Sequence, residues 1–272
     1  MKSITSEANA NFRRWLRLAT QPRAVRDEKQ TLAEGVHLAQ AALVPDAAGI
    51  AVSAVIVRAA ARSGTGRAIA PLVDRALQSG AAGFELAAVL YDRIAPVEHG
   101  SGLLLVLDVA TKELPPSLDT DLLFLDRIQD PGNAGALLRT AAAAGVAAVF
   151  AAPGTASLWA PKVLRAAQGA HFRLCLQEDV DAAQLRTLFS GTVVGMLAHG
   201  APPLWSATLP ADAVAWIAGA EGGGLSPAAL AVCDACVTIP VATAVESLNV
   251  AAAAAICLFE RQRRRLRPAT VA

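Results

Sequence analysis

Long hydrophobic runs are missing from this chain. The most extended, such as Leu248–Phe259, stop well short of the roughly 18–20 apolar residues that a membrane-spanning helix needs, so they read as buried helices. The N-terminus, MKSITSEANANFRRWLRL, has neither an apolar core region nor a small-residue cleavage site. That argues against export and makes a cytoplasmic location the expectation, with no membrane partner. Cysteine is scarce, at four residues: Cys175, Cys233, Cys236 and Cys257. Only Cys233 and Cys236 have a C-x-x-C spacing, and two further zinc ligands at compatible spacing are lacking, so free thiols are expected and no metal site. Lysine is confined to Lys2, Lys29, Lys112 and Lys162, and the formal net charge is only +1. Such a chain is no globally basic coat for nucleic acid, and any contact with one must come from local patches. The cations are almost all arginines, which suits bidentate phosphate recognition, although a GC-rich genome would give the same bias.

What is present is a chain of 272 residues, 54% hydrophobic and largely so through alanine. It is long enough for one large or two ordinary domains, burying roughly 70–75% of the unfolded surface. Strand-like apolar runs alternate with helical patterns, which predicts an α/β fold with a largely parallel sheet. A first region holds an amphipathic start at Phe12–Leu18, the segment RAVRDEKQTLAEGVHLAQAAL, a strand at 51–57, a helix near Ala68–Gln78 and then FELAAVLYDRI. The stretch APVEHGSG at 95–102 has the composition of a linker, placing a boundary near residue 100 and dividing the chain into 1–100 and 101–272. The second region reads as strands at 103–109, 122–126, 147–151, 173–176, 192–198, 213–218 and 236–240, apolar enough to be covered on both faces.

Three loops in the second region carry polar groups that can do chemistry. In LDRIQDPGNAGALLRTAAAAGV, a strand ends at Asp126, Pro131 and Gly132 turn the chain, and Asn133 is expected to cap a helix that carries Arg139. In AWIAGAEGGGLSP, a strand runs into Gly-Ala-Glu-Gly-Gly-Gly, whose glycines allow close approach of backbone to a ligand. The spacing matches neither G-x-G-x-x-G with a downstream ribose-binding acid nor G-x-x-x-x-G-K-[ST], so dinucleotide and nucleoside-triphosphate readings lose ground. In VTIPVATAVESLNVAAAAAICLFE, a short strand stops at Pro240 and a polar loop leads to Glu246-Ser247-Leu248-Asn249 before a long helix. The first-turn N–H groups of that helix need partners, which Ser247, Glu246 or a ligand could supply. Its end, with Arg261, Arg263, Arg264, Arg265 and Arg267, reads as a solvated helix terminus or an RNA contact.

In this order, DPGNAGALLRTA, GAEGGGLS and IPVATAVESLNVAAAAAICLFE resemble the three motifs of the SpoU (TrmH) family of RNA ribose methyltransferases, within the SPOUT superfamily. PKVLRAAQGAHFRL at 161–174 resembles the family's segment between motifs one and two, and RDEKQTLAEGVHLAQAAL its N-terminal substrate-binding domain, which is similar to ribosomal RNA-binding proteins. The resemblance implies S-adenosylmethionine as methyl donor and a ribose 2′-hydroxyl of structured RNA as acceptor. It implies a catalytic domain with a C-terminal trefoil knot, behind a smaller N-terminal α/β RNA-binding domain, and a homodimer formed through the knotted domain. The donor is then contacted near Leu197, Ala198, Gly219, Ile239 and Leu248. The polar active-site positions correspond to Asn133, Arg139, Glu221, Ser247 and Asn249. Ribosomal RNA is favoured over transfer RNA by analogy alone, and DNA is not expected.

Thr243 and Ala251 stand where many members have glycine and serine, and Ala220 replaces the Asn or Ser of some. If the loop needs positive φ at Thr243, a β-branched residue there costs on the order of 1 kcal/mol. An ordinary guanidinium, with a pKa above about 12, cannot act as a base, so the reading gives Arg139 a phosphate-anchoring and alkoxide-stabilising role. Arg13, Arg14, Arg17 and Arg26 are the candidates for RNA docking from the first domain. Two other readings follow from the same residues: a non-catalytic RNA-binding or assembly factor on this fold, and methylation of a base nitrogen.

Overall fold

Apolar β-prone stretches and alanine-rich helices sort into two units in the computed structural model, which describes residues 1–44, 50–59, 66–95, 100–109 and 118–266. The first unit comprises Met1–Thr111 with Trp159–Phe172, and the second Lys112–Leu158 with Arg173–Ala272.

In the first unit, β1 (Lys2–Ile4) is followed by α1 (Ala10–Thr20), α2 (Pro22–Glu28), β2 (Gln30–Glu34), α3 (Val36–Ala42), β3 (Ala51–Arg58), α4 (Gly66–Gln78), β4 (Ala82–Leu86), α5 (Ala88–Ile94) and β5 (Leu103–Asp108). Asn9 caps α1 by accepting from the N–H groups of Asn11 and Phe12. The helix buries Phe12, Trp15 and Leu18 at a spacing of three residues, each contributing roughly 1.5–3 kcal/mol of burial. Trp15 meets Phe84 edge to face, with ring centroids 5.1 Å apart. The sheet runs β1-β4-β3-β5-β2, with β5 antiparallel to both its neighbours.

This pairing corrects the boundary near residue 100. The run at 103–109, read as the opening strand of the second region, is the fourth strand of the first sheet, because its registers with β2 and β3 leave no residue of it in the other sheet. Trp159–Phe172 also belongs to the first unit, where the Thr31 hydroxyl donates to the Trp159 carbonyl at 2.6 Å. Of the proposed linker at 95–102, residues 96–99 lie outside the described residues.

The remaining elements are β6 (Leu122–Asp126), α6 (Pro131–Ala143), β7 (Ala148–Ala151), α7 (Pro161–Ala167, in the first unit), β8 (Cys175–Gln177), α8 (Ala182–Leu188), β9 (Thr192–Leu197), β10 (Val214–Gly219), α9 (Pro227–Ala231), β11 (Ala235–Thr238) and α10 (Val250–Leu266). The second sheet runs β11-β9-β10-β6-β7-β8, and every pairing in it is parallel. Leu122, Phe124, Phe150, Val193 and Ile217 form its core, as expected of strands covered on both faces. Chain order reverses between β6 and β10. A parallel sheet opens its ligand crevice at the carboxyl ends of the strands beside such a point.

α10 packs against α6 and β10, and its basic end is built into the fold. Arg261 is only 4% exposed, lies 3.4 Å from the Asp121 carboxylate, and donates to the carbonyls of Pro210, Ala211 and Asp212. Arg265 also reaches Asp121, at 2.9 Å, and Arg264 holds the carbonyls of Leu204 and Ala207. Arg261 and Arg264 therefore strap the crossover between β9 and β10, and Arg265 joins Arg261 on Asp121 ahead of β6, which corrects the reading of these three as a solvated helix end or RNA contact. Arg263 remains exposed and pairs with Glu260, whose carboxyl is pulled down to about 2 by Arg263 and Arg264. Arg267 lies outside the described residues. Among the described residues, no helix is long and apolar enough to cross a membrane.

Candidate active site

The three polar loops leave the carboxyl ends of β6, β10 and β11, so the parallel sheet delivers them to one edge. β6 ends at Asp126, a carboxylate 2% exposed that accepts from the Ser226 N–H and from Arg127 Nε. α6 then opens with Pro131 at its first position. Its cap is Asp130, whose Oδ1 accepts the Asn133 N–H at 2.7 Å. Asn133 was expected to be that cap. It stands instead at the third helical position, where Asp130 satisfies its backbone and leaves its amide side chain available to bridge.

β10 ends at Gly219, after which Ala220 and Gly224 exchange backbone hydrogen bonds of 3.1 and 2.9 Å and close a tight loop around Glu221–Gly223. Glycine is required twice here. A Cβ on Gly219 would lie 2.3 Å from the Gly224 carbonyl carbon, and Gly224 has φ +61°. Glu221 is exposed on this loop, and its Oε1 accepts from Asn133 Nδ2 at 2.8 Å.

After β11 the chain is irregular through residue 249, with Ile239 and Val241 half-buried and residues 242–249 exposed. The N–H groups at the start of α10 are met by Asn249, whose Oδ1 accepts from Ala251 at 2.9 Å and Ala252 at 3.4 Å, rather than by Ser247 or Glu246. The Asn249 amide donates to Asn133 Oδ1 at 2.9 Å. Glu221, Asn133 and Asn249 thus form one hydrogen-bonded chain across all three loops. Thr243 is not among the positive-φ non-glycine residues, which are Lys29, Arg127, Gln168 and Asp179, so the strain expected there does not arise.

Beside this chain is a cavity of about 570 Å³, within the range of small-molecule sites. Its lining brings together all five expected donor positions, Leu197, Ala198, Gly219, Ile239 and Leu248, with Glu221, Ser247 and Asn249. It also holds Glu246, named from the third loop as a partner for the helix start, and two residues that motif reasoning did not place in the site, His199 and Cys257. His199 follows a strand end at the same sheet edge, and that position was the available signal. Burial pushes the Cys257 thiol up to about 12, so it stays protonated.

Arg139 is not part of this assembly. It sits six residues beyond Asn133, about 240° further round α6, is exposed, and makes no hydrogen bond or ion pair with the described residues. In the first unit, Arg13 is exposed on α1, Arg14 is half-buried, Arg17 is paired with Glu28, and Arg26 is exposed on α2. All four cysteines are free, and among the described residues no group of three or more His, Cys, Asp or Glu side chains could hold a metal ion.

Residues 122–259 match the SpoU rRNA Methylase family. The chain is 31% identical over 265 residues to the 23S rRNA guanosine 2′-O-methyltransferase RlmP of Bacillus subtilis strain 168, covering 95% of this chain and 98% of RlmP. A solved RNA 2′-O ribose methyltransferase superposes with a TM-score of 0.77 at 28% identity, covering 97% of this chain and all of that one. The AdoMet-bound rRNA methyltransferase of Sinorhizobium meliloti has the same fold, with a TM-score of 0.82 at 23% identity over 98% of this chain and 99% of its own.

Proposed function

This chain belongs to the SpoU rRNA methylase family, and on that premise we propose that the Glu221–Asn133–Asn249 chain and the cavity beside it are the active site of a ribosomal RNA methyltransferase. The protein is an S-adenosylmethionine-dependent enzyme that methylates a ribose 2′-hydroxyl. The observation that carries the site assignment is the bridge made by Asn133 between Glu221 and Asn249, both of which line the cavity.

The lining fits the donor. Leu197, Ile239 and Leu248 offer apolar surface for a purine, while Gly219 and its loop present bare backbone, as a ligand held mainly by main-chain groups requires. S-adenosylmethionine, when bound, supplies a methyl group on a sulfonium sulfur. The residues of this chain must then hold the ribose oxygen in line and remove its proton. Asn133 occupies Glu221 Oε1, which fixes the carboxylate and leaves Oε2 without a partner among the described residues. Ser247 adds a hydroxyl on the cavity wall. Arg139, exposed outside the cavity, is assigned to anchoring a backbone phosphate and stabilising the developing alkoxide, with that phosphate, Glu221 or water as the acceptor of the ribose proton.

We read the enzyme as the family's homodimer, formed through the C-terminal domain, with RNA lying across α6 where Arg139 is exposed. We read β11, the loop after it and α10 as the trefoil knot of the family. The placing of the last strand beside β9, with α10 returning onto β10, supports this. The first unit serves as the RNA-binding domain, with Arg13, Arg14 and Arg26 as its phosphate contacts, and the enzyme acts in the cytoplasm. Mapping alkali-resistant linkages across ribosomal and transfer RNA in a deletion strain tests the whole reading. One ribosomal site should lose methylation and regain it with the wild-type chain. A transfer RNA site, or none, would overturn it.

A further inference from the structure

The donor cavity has three walls: the end of β9 (Met196–His199), the glycine loop after β10, and the segment from Val237 to Val250. The second wall is closed by its own Ala220–Gly224 hydrogen bonds and held from below by Asp126, and the third is tied down at Asn249. The first is paired along β9 with β11, Leu197 standing opposite Thr238, and beyond that ladder it is held by Thr238, the last residue of β11. The Thr238 N–H donates to the Pro202 carbonyl at 3.0 Å, and its own carbonyl accepts from the Leu204 N–H at 2.8 Å. Its hydroxyl donates to the Ala198 carbonyl at 2.8 Å. The first two bonds fix the crossover a few residues away from the cavity. The hydroxyl alone reaches a cavity-lining residue.

We infer that Thr238 is a positioning residue for the methyl donor, its hydroxyl setting the Leu197–His199 wall against the Ile239 wall through the Ala198 carbonyl. This rests on the assignment of the cavity to S-adenosylmethionine. Valine at this position keeps the β-branched shape that suits a strand and leaves both backbone bonds in place, so the change removes one hydrogen bond and little else. A lost hydrogen bond of this kind loosens binding rather than chemistry, because the wall contacts donor and transition state alike.

The test is calorimetric titration of S-adenosylmethionine into the full-length chain as wild type, Thr238→Val, Thr238→Ser and Gly219→Val, with initial rates on ribosomal RNA. Thr238→Val should raise the donor Kd and KM roughly three- to tenfold with kcat at saturating donor unchanged. Thr238→Ser should bind as the wild type does, and Gly219→Val, whose Cβ collides with the Gly224 backbone and pushes the glycine loop out of place, should not bind. Wild-type affinity in Thr238→Val, or an equal loss in Thr238→Ser, overturns the inference while leaving the donor site in place if Gly219→Val is dead. Normal binding by Gly219→Val moves the donor elsewhere and overturns both. If Thr238→Val fails to fold, Thr238→Ala against Thr238→Ser carries the same comparison.

Discussion

The side-chain carbonyl of Asn133 accepts the Asn249 amide at 2.9 Å, joining two residues 116 positions apart in the chain. Each asparagine has a second partner, Glu221 for Asn133 and the first N–H groups of α10 for Asn249. Removing either amide therefore disturbs a carboxylate and a helix start together.

Asn249→Ala is expected to cost about 1 kcal/mol through the lost helix cap. Methylation should fall by more than that figure implies, because Asn133 and Glu221 also lose their tether. Urea unfolding and single-turnover rates on the same samples check this. A rate loss no larger than the stability loss predicts would show that Asn249 is a cap and nothing else.

Arg139→Ala should remove methyl transfer, by at least about 10²-fold, with S-adenosylmethionine affinity unchanged, since the guanidinium lies outside the cavity. Arg139→Lys should recover little, because a point charge cannot bridge two phosphate oxygens as a guanidinium fork does. Retained single-turnover methylation in Arg139→Ala would contradict the assignment.

The basic end of α10 separates structural from surface arginines. Arg261→Met strands buried carbonyls and half of an ion pair, and should cost about 3 kcal/mol, the lower end for such a break, since Arg265 still reaches Asp121. Arg263→Ala, at an exposed pair, should change stability by under about 0.5 kcal/mol. Thermal melts of the two variants that coincide would refute the strap.

Glu34 closes β2 in the first unit, 8% exposed, with neither carboxylate oxygen hydrogen-bonded. Burial raises its pKa from the usual 4.5 to about 7, against a smaller opposing pull from Arg165. The folded state then binds more protons than the unfolded state between those values, so stability should fall as pH rises from about 4.5 through about 7. The change is on the order of 2–3 kcal/mol. Urea midpoints at pH 5 and pH 8 should differ in the wild type and converge in Glu34→Gln. An equal difference in both would exclude Glu34 as the cause.

Much of the second unit was legible in the chain because its signals are local. The run Leu122–Asp126 can only be a strand covered on both faces, and the glycines at 219 and 222–224 announce a turn wherever the strand before them ends. The order of three motifs likewise needed no coordinates. The failures came where the deciding partner is distant. Asn133 and Asp130 are both good caps on sequence, and what distinguishes them is Glu221, 88 residues on, which claims the Asn133 amide. The C-terminal arginines look solvated until Asp121, 140 residues earlier, and the crossover carbonyls are folded beneath Arg261. The run Leu103–Asp108 fits either sheet by hydrophobicity alone, and its edges paired with β2 and β3.

The sequence by itself thus determined the strands, the turns and the residue types that the chemistry needs, since backbone propensity and burial pattern act over a few residues. Only the tertiary structure decided which polar group bonds to which, because a side chain with several possible partners chooses among those that the fold brings within hydrogen-bonding distance.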